Sequence, residues 1–191
     1  MELSPIAARR AVWIAQTDLF LDTDVRLHYA HLAYVAANSP FSLAELESIF
    51  RDEVAPVFEY NLMDIAGEWA MFADDDVIES VEGYLAKHPP RPYVMETWAL
   101  DYWRHVAHLV TRLRVLPPEQ RATRSRLWDT LSKLFLDRNP PPPADLPRNP
   151  ELLEWVYRHE MLPAYGRNSS GLDPSLEETE ARFLVWLETT R

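Results

Sequence analysis

The sequence predicts an all-α protein, an irregular multi-helix bundle of about eight helices. Three observations predict it. Apolar residues recur at spacings of three and four along most of the chain. Helix start and stop signals separate these periodic stretches from end to end. No segment alternates with period two over a useful length, so strands are not expected.

The elements follow in order. Ser4-Pro5 reads as an N-cap and a first-turn proline, opening a helix with Ile6, Val12, Trp13, Leu19 and Phe20 inward. Asp22 or Thr23 is expected to cap a second helix carrying Val25, Tyr29, Leu32 and Ala36, and Asn38-Ser39-Pro40 ends it. Ser42 with Glu45 forms a capping box ahead of Leu46, Ile49 and Phe50. Residues 55–73 contain Pro56 and Gly67 and read as short helical pieces. Asp74 is expected to cap a helix with Val77, Ile78, Val81, Tyr84 and Leu85 inward, stopped by Pro89-Pro90. The clearest helix spans about 93–116, where Met95 to Leu113 form one apolar stripe. Pro117-Pro118 starts the next, with Leu127, Trp128 and Leu131 buried. Arg121, Arg124 and Arg126 lie near its start, at the unfavourable end of the helix dipole unless acids offset them. Residues 138–150 are a proline-rich connection in which Pro140–Pro143 adopts polyproline II. A helix near 150–161 follows, and Asp173-Pro174 opens the last. Residues 1–191 are therefore expected to form a single helical domain. No internal repeat is read.

Composition narrows the function. Apolar residues make up 47% and aromatics 12%, so the chain folds. With no cysteine, disulfides, thiolate metal sites and cysteine nucleophiles are excluded. No signal peptide and no run of ~18 apolar residues is present, so a cytoplasmic protein without a membrane span is expected. Net charge is −11. Residues 1–90 hold 16 acidic and 5 basic groups (5 − 16 = −11), and residues 91–191 hold 14 of each. Residues 41–88 hold 12 acidic groups against Arg51 and Lys87, giving −10. Nucleic acid is not an expected partner, whereas a basic protein is. Solubility alone is the plainer explanation of such a charge.

Four glycines form no phosphate-binding loop, and no nucleophile elbow occurs. No catalytic residue and no cofactor is assigned. His28 with His31 and His105 with His108 are His-x-x-His pairs, each sharing a helix face. Asp101 and Arg112 extend the second pair into a polar stripe. If the two helices met along these faces, a four-histidine metal site would result; unrelated histidines are the commoner outcome. Asp18, Asp22 and Asp24 could hold a cation, but capping explains them more simply. The densest acidic run is Asp74, Asp75 and Asp76 with Glu79 and Glu82. Capping and the helix dipole account for part of it, and the surplus makes these five the candidate partner-binding residues. Glu45, Glu47, Glu53, Glu59 and Glu68 are expected to extend the same face. Most of the aromatics belong to helical core stripes; Tyr93, Trp103 and Tyr165 are those expected at the surface.

Val12-Trp13-Ile14-Ala15-Gln16-Thr17-Asp18-Leu19-Phe20-Leu21-Asp22-Thr23 and Pro56-Val57-Phe58 with Asn61-Leu62 and Ala66-Gly67-Glu68-Trp69 resemble a family of small bacterial proteins over about residues 8–85. Some members are encoded beside polymorphic toxins or secreted antibacterial effectors, including those of type VI secretion. The resemblance implies an immunity protein that binds a cytoplasm-acting toxin or effector domain, a nuclease in its sharpest form. Two alternatives stand beside it: a metal-dependent helical enzyme using the histidine pairs, and a regulatory or structural adaptor using Pro140–Pro143. Oligomeric state is not set by the sequence.

Overall fold

The computed structural model describes residues 5–63, 71–88, 93–95, 97–136, 149–165, 167–168, 171–172 and 185. Helix α1 (Pro5–Thr17) leads through a 3₁₀ turn at Asp18–Phe20. Asp24, rather than Asp22 or Thr23, accepts a hydrogen bond from the Arg26 N–H and caps a second 3₁₀ turn, Val25–His28, which runs straight into α2 (Tyr29–Asn38). The capping box forms as the sequence predicts: Ser42 and Glu45 exchange hydrogen bonds at the start of α3 (Leu43–Ile49).

Helix α3 does not stop where its α-helical bonds do. It widens into a π-helix, Phe50–Val54, and continues as α4 (Ala55–Phe58). Pro56 explains the change. In an α-helix its missing N–H would leave the Asp52 carbonyl without a bond, and its ring would collide with that carbonyl. The π turn relieves both, and the Ala55 N–H bonds to the Phe50 carbonyl five residues back. The same sequence of events recurs later. Helix α8 (Pro150–Val156), capped by Asn149, passes into the π-helix Tyr157–Met161 and then α9 (Leu162–Tyr165), with Pro163 in the place of Pro56. Between them lie a 3₁₀ turn at Glu59–Met63, α5 (Asp74–Lys87), α6 (Thr97–Arg114) and α7 (Pro118–Leu136). Nine α segments, two of them continued from others through π-helices, make 9 − 2 = 7 continuous helices among the described residues. The one strand pairing among those residues is a two-residue antiparallel contact, Arg167–Asn168 with Gly171–Leu172. The fold is all-α. The proline run and the last expected helix lie outside the described residues, apart from Val185, which is helical.

Helices α2 and α6 pack along each other at the centre, with α1 and α7 both against α2 and α9 against α6. Alanine permits this crowding: Ala30, Ala33, Ala36 and Ala37 of α2 are all buried. Around this pair lie Trp13, Trp103, Trp128, Tyr29, Phe20 and Phe50. The Phe50 ring stacks on Phe20 at 5.3 Å and on Trp103 at 5.8 Å. At the C-terminal end of α2, Arg114 donates to the Ala36 and Phe41 carbonyls at 3.0 and 2.5 Å, and Arg121 to the Ala37 carbonyl at 3.1 Å. Two cations thus meet the negative end of α2, and Arg121 finds there the favourable partner it lacks at the start of its own helix.

Two of the buried carboxylates each pair with an arginine and a tryptophan. Glu53 accepts hydrogen bonds from Arg9 through Nε (3.0 Å) and Nη2 and from Trp13 Nε1 (2.7 Å). Glu160 accepts from Arg124 Nη1 (2.5 and 2.6 Å) and from Trp128 Nε1 (2.9 Å). In each case the π-helix turns the glutamate toward an Arg and a Trp one helical turn apart on a neighbouring helix. Removing the arginine would leave a buried charge unpaired, whereas the exposed Arg10–Glu82 pair is screened by water.

Two further groups tie stability to pH. Burial alone would raise the Asp52 pKa, but hydrogen bonds from Arg51, Ser48 and the Tyr93 N–H outweigh it and hold the carboxyl below its usual range. Burial depresses His108, the Arg112 charge depresses it further, and the nearby backbone of His159 and Glu160 opposes them only in part.

Two outcomes are expected. In urea unfolding, Arg124→Ala should cost about 3 kcal/mol or more, and Arg10→Ala at most about 1 kcal/mol; equal losses would show that burial of the Glu160 carboxylate does not govern the pair. The folded pKa of His108 lies below its unfolded value, so the native state binds fewer protons there. Its contribution is present above about pH 6.5 and is lost as pH falls toward the folded value. Thermal midpoints measured at about pH 7.5 and about pH 5.5 should fall more for the natural chain than for His108→Gln; identical falls would count against it.

Candidate partner-binding surface

The start of α5 is the most acidic exposed element. Its N-cap is Ala73, which has no side chain to bond the orphan N–H groups, so Asp74 does not serve as the cap. Asp74, Asp75 and Asp76 instead fill the first helical turn, where the helix dipole favours negative charge. All three are exposed, as is Glu79. The apolar side of α5, Val77 and Val81, packs onto α1, the π-helix Phe50–Val54 and α4. That packing fixes the four carboxylates on the outer side of the protein. Glu82 behaves differently: it accepts from Arg10 Nε (2.9 Å) and Nη2 (2.6 Å) and ties α5 to α1. Among the described residues, no ion pair engages Asp74, Asp75, Asp76 or Glu79.

Among the described residues, the wider acidic face expected from Glu45, Glu47, Glu53 and Glu59 does not form. Glu53 is consumed by Arg9 and Trp13. Glu59 is buried and accepts from the Tyr93 hydroxyl at 2.9 Å. Asp52 is held by Arg51 and Ser48. Glu45 serves the capping box, and the Ser42 backbone and side chain hold its pKa below the usual range. Glu47 remains half-buried at the surface, and Glu68 lies outside the described residues. Among the described residues of this stretch, the exposed charge surplus thus narrows to the first turns of α5.

The histidines do not converge. Helices α2 and α6 do pack together, but His31 is exposed, and His28 sits 3.3 Å from Asp18. His105 faces the Tyr29 hydroxyl at 3.5 Å, and His108 lies against the π-helix Tyr157–Met161. Among the described residues, no group of three or more His, Asp or Glu is placed to hold a metal ion. The aspartates of the first junction are likewise committed elsewhere. Asp24 is clasped by Arg26 at 2.7 and 2.8 Å and Asp18 faces His28, while Asp22 points outward.

The aromatics expected at the surface are inside. Trp103 is 1% exposed and Tyr165 5%, and Tyr93 is half-buried through its bonds to Asp52 and Glu59. Among the described residues, the exposed large aromatics are Tyr60 (67%) and Trp155 (45%), the latter stacked on His159 at 5.0 Å. Trp155 was legible: it falls off the stripe of Leu152, Leu153 and Val156. No helix among the described residues is long and apolar enough to cross a membrane.

The family model described as a domain of unknown function (DUF7079) matches residues 7–114. The match spans more than half of the chain, and the chain belongs to that family. No curated protein and no solved structure matches it.

Proposed function

We propose that this family member is an immunity protein, which binds a basic toxin or effector domain and blocks it through the acidic start of α5. Asp74, Asp75, Asp76 and Glu79 supply the charge contacts. Glu82 holds the edge in place through Arg10. The observation that carries the reading is the exposure of four carboxylates, without ion-pair partners among the described residues, on a protein that commits most of its neighbouring acids internally. A surplus that served solubility alone would need no such concentration. A nuclease must offer cations to phosphate, and an acidic edge can occupy them and speed encounter. The cytoplasm, where such a toxin acts, is the compartment proposed for the complex.

The test is capture of a partner from the native cell lysate at low and high salt, followed by kinetics with the purified partner. Neutralising the edge (Asp75→Asn, Asp76→Asn and Glu79→Gln together) should slow association about 10-fold at low salt and change it little at high salt. Glu119→Gln, outside the edge, should do neither. Unchanged association and salt dependence in the triple variant would remove the α5 edge from the interface.

A further inference from the structure

The two Arg–Trp–Glu clusters are more than a coincidence of chemistry. Residues 9–22 align with 124–137 at an offset of 115, with Arg9/Arg124, Trp13/Trp128, Leu19/Leu134, Phe20/Phe135, Leu21/Leu136 and Asp22/Asp137 identical. Residues 46–58 align with 153–165 at an offset of 107, keeping Leu46/Leu153, Glu47/Glu154, Arg51/Arg158, Glu53/Glu160 and Pro56/Pro163. Helix α3, its π-helix and α4 have 7, 5 and 4 residues; α8, its π-helix and α9 have 7, 5 and 4.

Hydrogen bonds repeat at the same offsets. Thr17 Oγ1 donates to the Ile14 carbonyl at 2.6 Å, and Ser132 Oγ to the Asp129 carbonyl at 2.9 Å. The N-caps Ser42 and Asn149 accept from the third residue of their helices, Glu45 and Leu152, at 3.2 and 3.1 Å. Glu53 and Glu160 each join one arginine and one indole N–H. Residues from three elements therefore correspond in sequence and bonding, and the α–π–α run corresponds in helix type as well; α7 differs from α1 in staying α-helical through Leu136, where Asp18–Phe20 form a 3₁₀ turn.

The drop in offset from 115 to 107 marks what differs. Nineteen residues separate Asp22 from Ser42, but eleven separate Asp137 from Asn149 (42 − 22 − 1 and 149 − 137 − 1). Eleven residues cannot contain a counterpart of the fourteen-residue stretch Val25–Asn38. The later elements pack instead on helices already present. Ser125 Oγ donates to the Ala30 carbonyl of α2 at 2.9 Å, Tyr165 lies 5.4 Å from Tyr29, and α9 rests on α6.

We infer that residues 124–165 are a second, shortened copy of the unit formed by residues 9–58, and that the face made by α2 of the first unit together with α6 is the docking surface on which this copy completes its core. This corrects the reading of the sequence as free of repeats and extends the family's pattern past the end of its match at residue 114. It is independent of the immunity proposal, because α5 packs on α1, α4 and the first π-helix, leaving its acidic start on a different face.

Reciprocal transplants in the full chain test it. In one, the sequence of residues 46–58 replaces 153–165; in the other, 153–165 replaces 46–58. Each has a control with the same thirteen residues scrambled. At least one transplant should unfold cooperatively within about 10 °C of the parent, while its control does not. The indole N–H signal of its partner tryptophan (Trp128 or Trp13) should stay at its carboxylate-bonded position, identified as the one signal displaced by Glu160→Gln or Glu53→Gln. If neither transplant folds better than its control, or the folded ones lose that indole signal, the units are not equivalent and the inference fails.

Discussion

A carboxylate cannot enter a protein interior without partners, and much of this architecture follows from meeting that condition at Glu53 and Glu160. Desolvating each ion costs several kcal/mol, and only charge-assisted bonds of good geometry offset it. An Arg and a Trp spaced one turn apart on a neighbouring helix supply both a cation and a neutral donor. The π-helix aims the glutamate at them, and the proline at its end makes the π-helix preferable to a regular one. Helix type, helix pairing and side-chain chemistry are therefore a single constraint. Apolar substitutes of similar volume could pack as stably, but they would not require α1 to meet the first π-helix in this register.

That constraint also reshapes the electrostatics. Residues 41–88 look like a uniform acidic field when charges are only counted. In the fold Asp52, Glu53 and Glu59 face inward, Glu82 joins α5 to α1, and Glu45 completes a cap. The first turns of α5 keep their charge for the solvent. For the proposed basic partner, a narrow acidic edge would give orientation as well as attraction.

The helical class, the capping box at Ser42–Glu45 and the long helix through Trp103 were legible because each is a local matter of period and caps. The N-cap of α5 was misread by one residue because any of Ala73 to Asp76 satisfies the local signal, and packing of Val77 and Val81 decides. Glu53 was misread as surface although it continues the stripe of Leu46, Ile49 and Phe50. A charge on an apolar stripe is the visible trace of a buried ion pair, but its partner, Arg9, lies 44 residues away. Trp103 and Tyr165 were placed outside because nothing local reveals that α6 is covered on both flanks. The histidine site failed for the same reason: two helices can be neighbours while their histidines turn to different faces.

The covering of α6 and α2 follows from the repeated unit. A helix with Tyr29, Ala30, Leu32, Ala33, Ala36 and Ala37 all buried cannot be satisfied by α1 and α6 alone. It needs a further layer, and α7, which carries the same Arg-x-x-x-Trp spacing as α1, supplies it. The shortened copy has no α2 of its own to satisfy and needs one to pack against. Each unit therefore lacks what the other provides: the first lacks a cover, the second a core helix. Two incomplete layers joined in one chain bury both deficits at once, which is why the second half can diverge at exposed positions such as Trp155 and His159 while keeping Arg124, Trp128 and Glu160 in place.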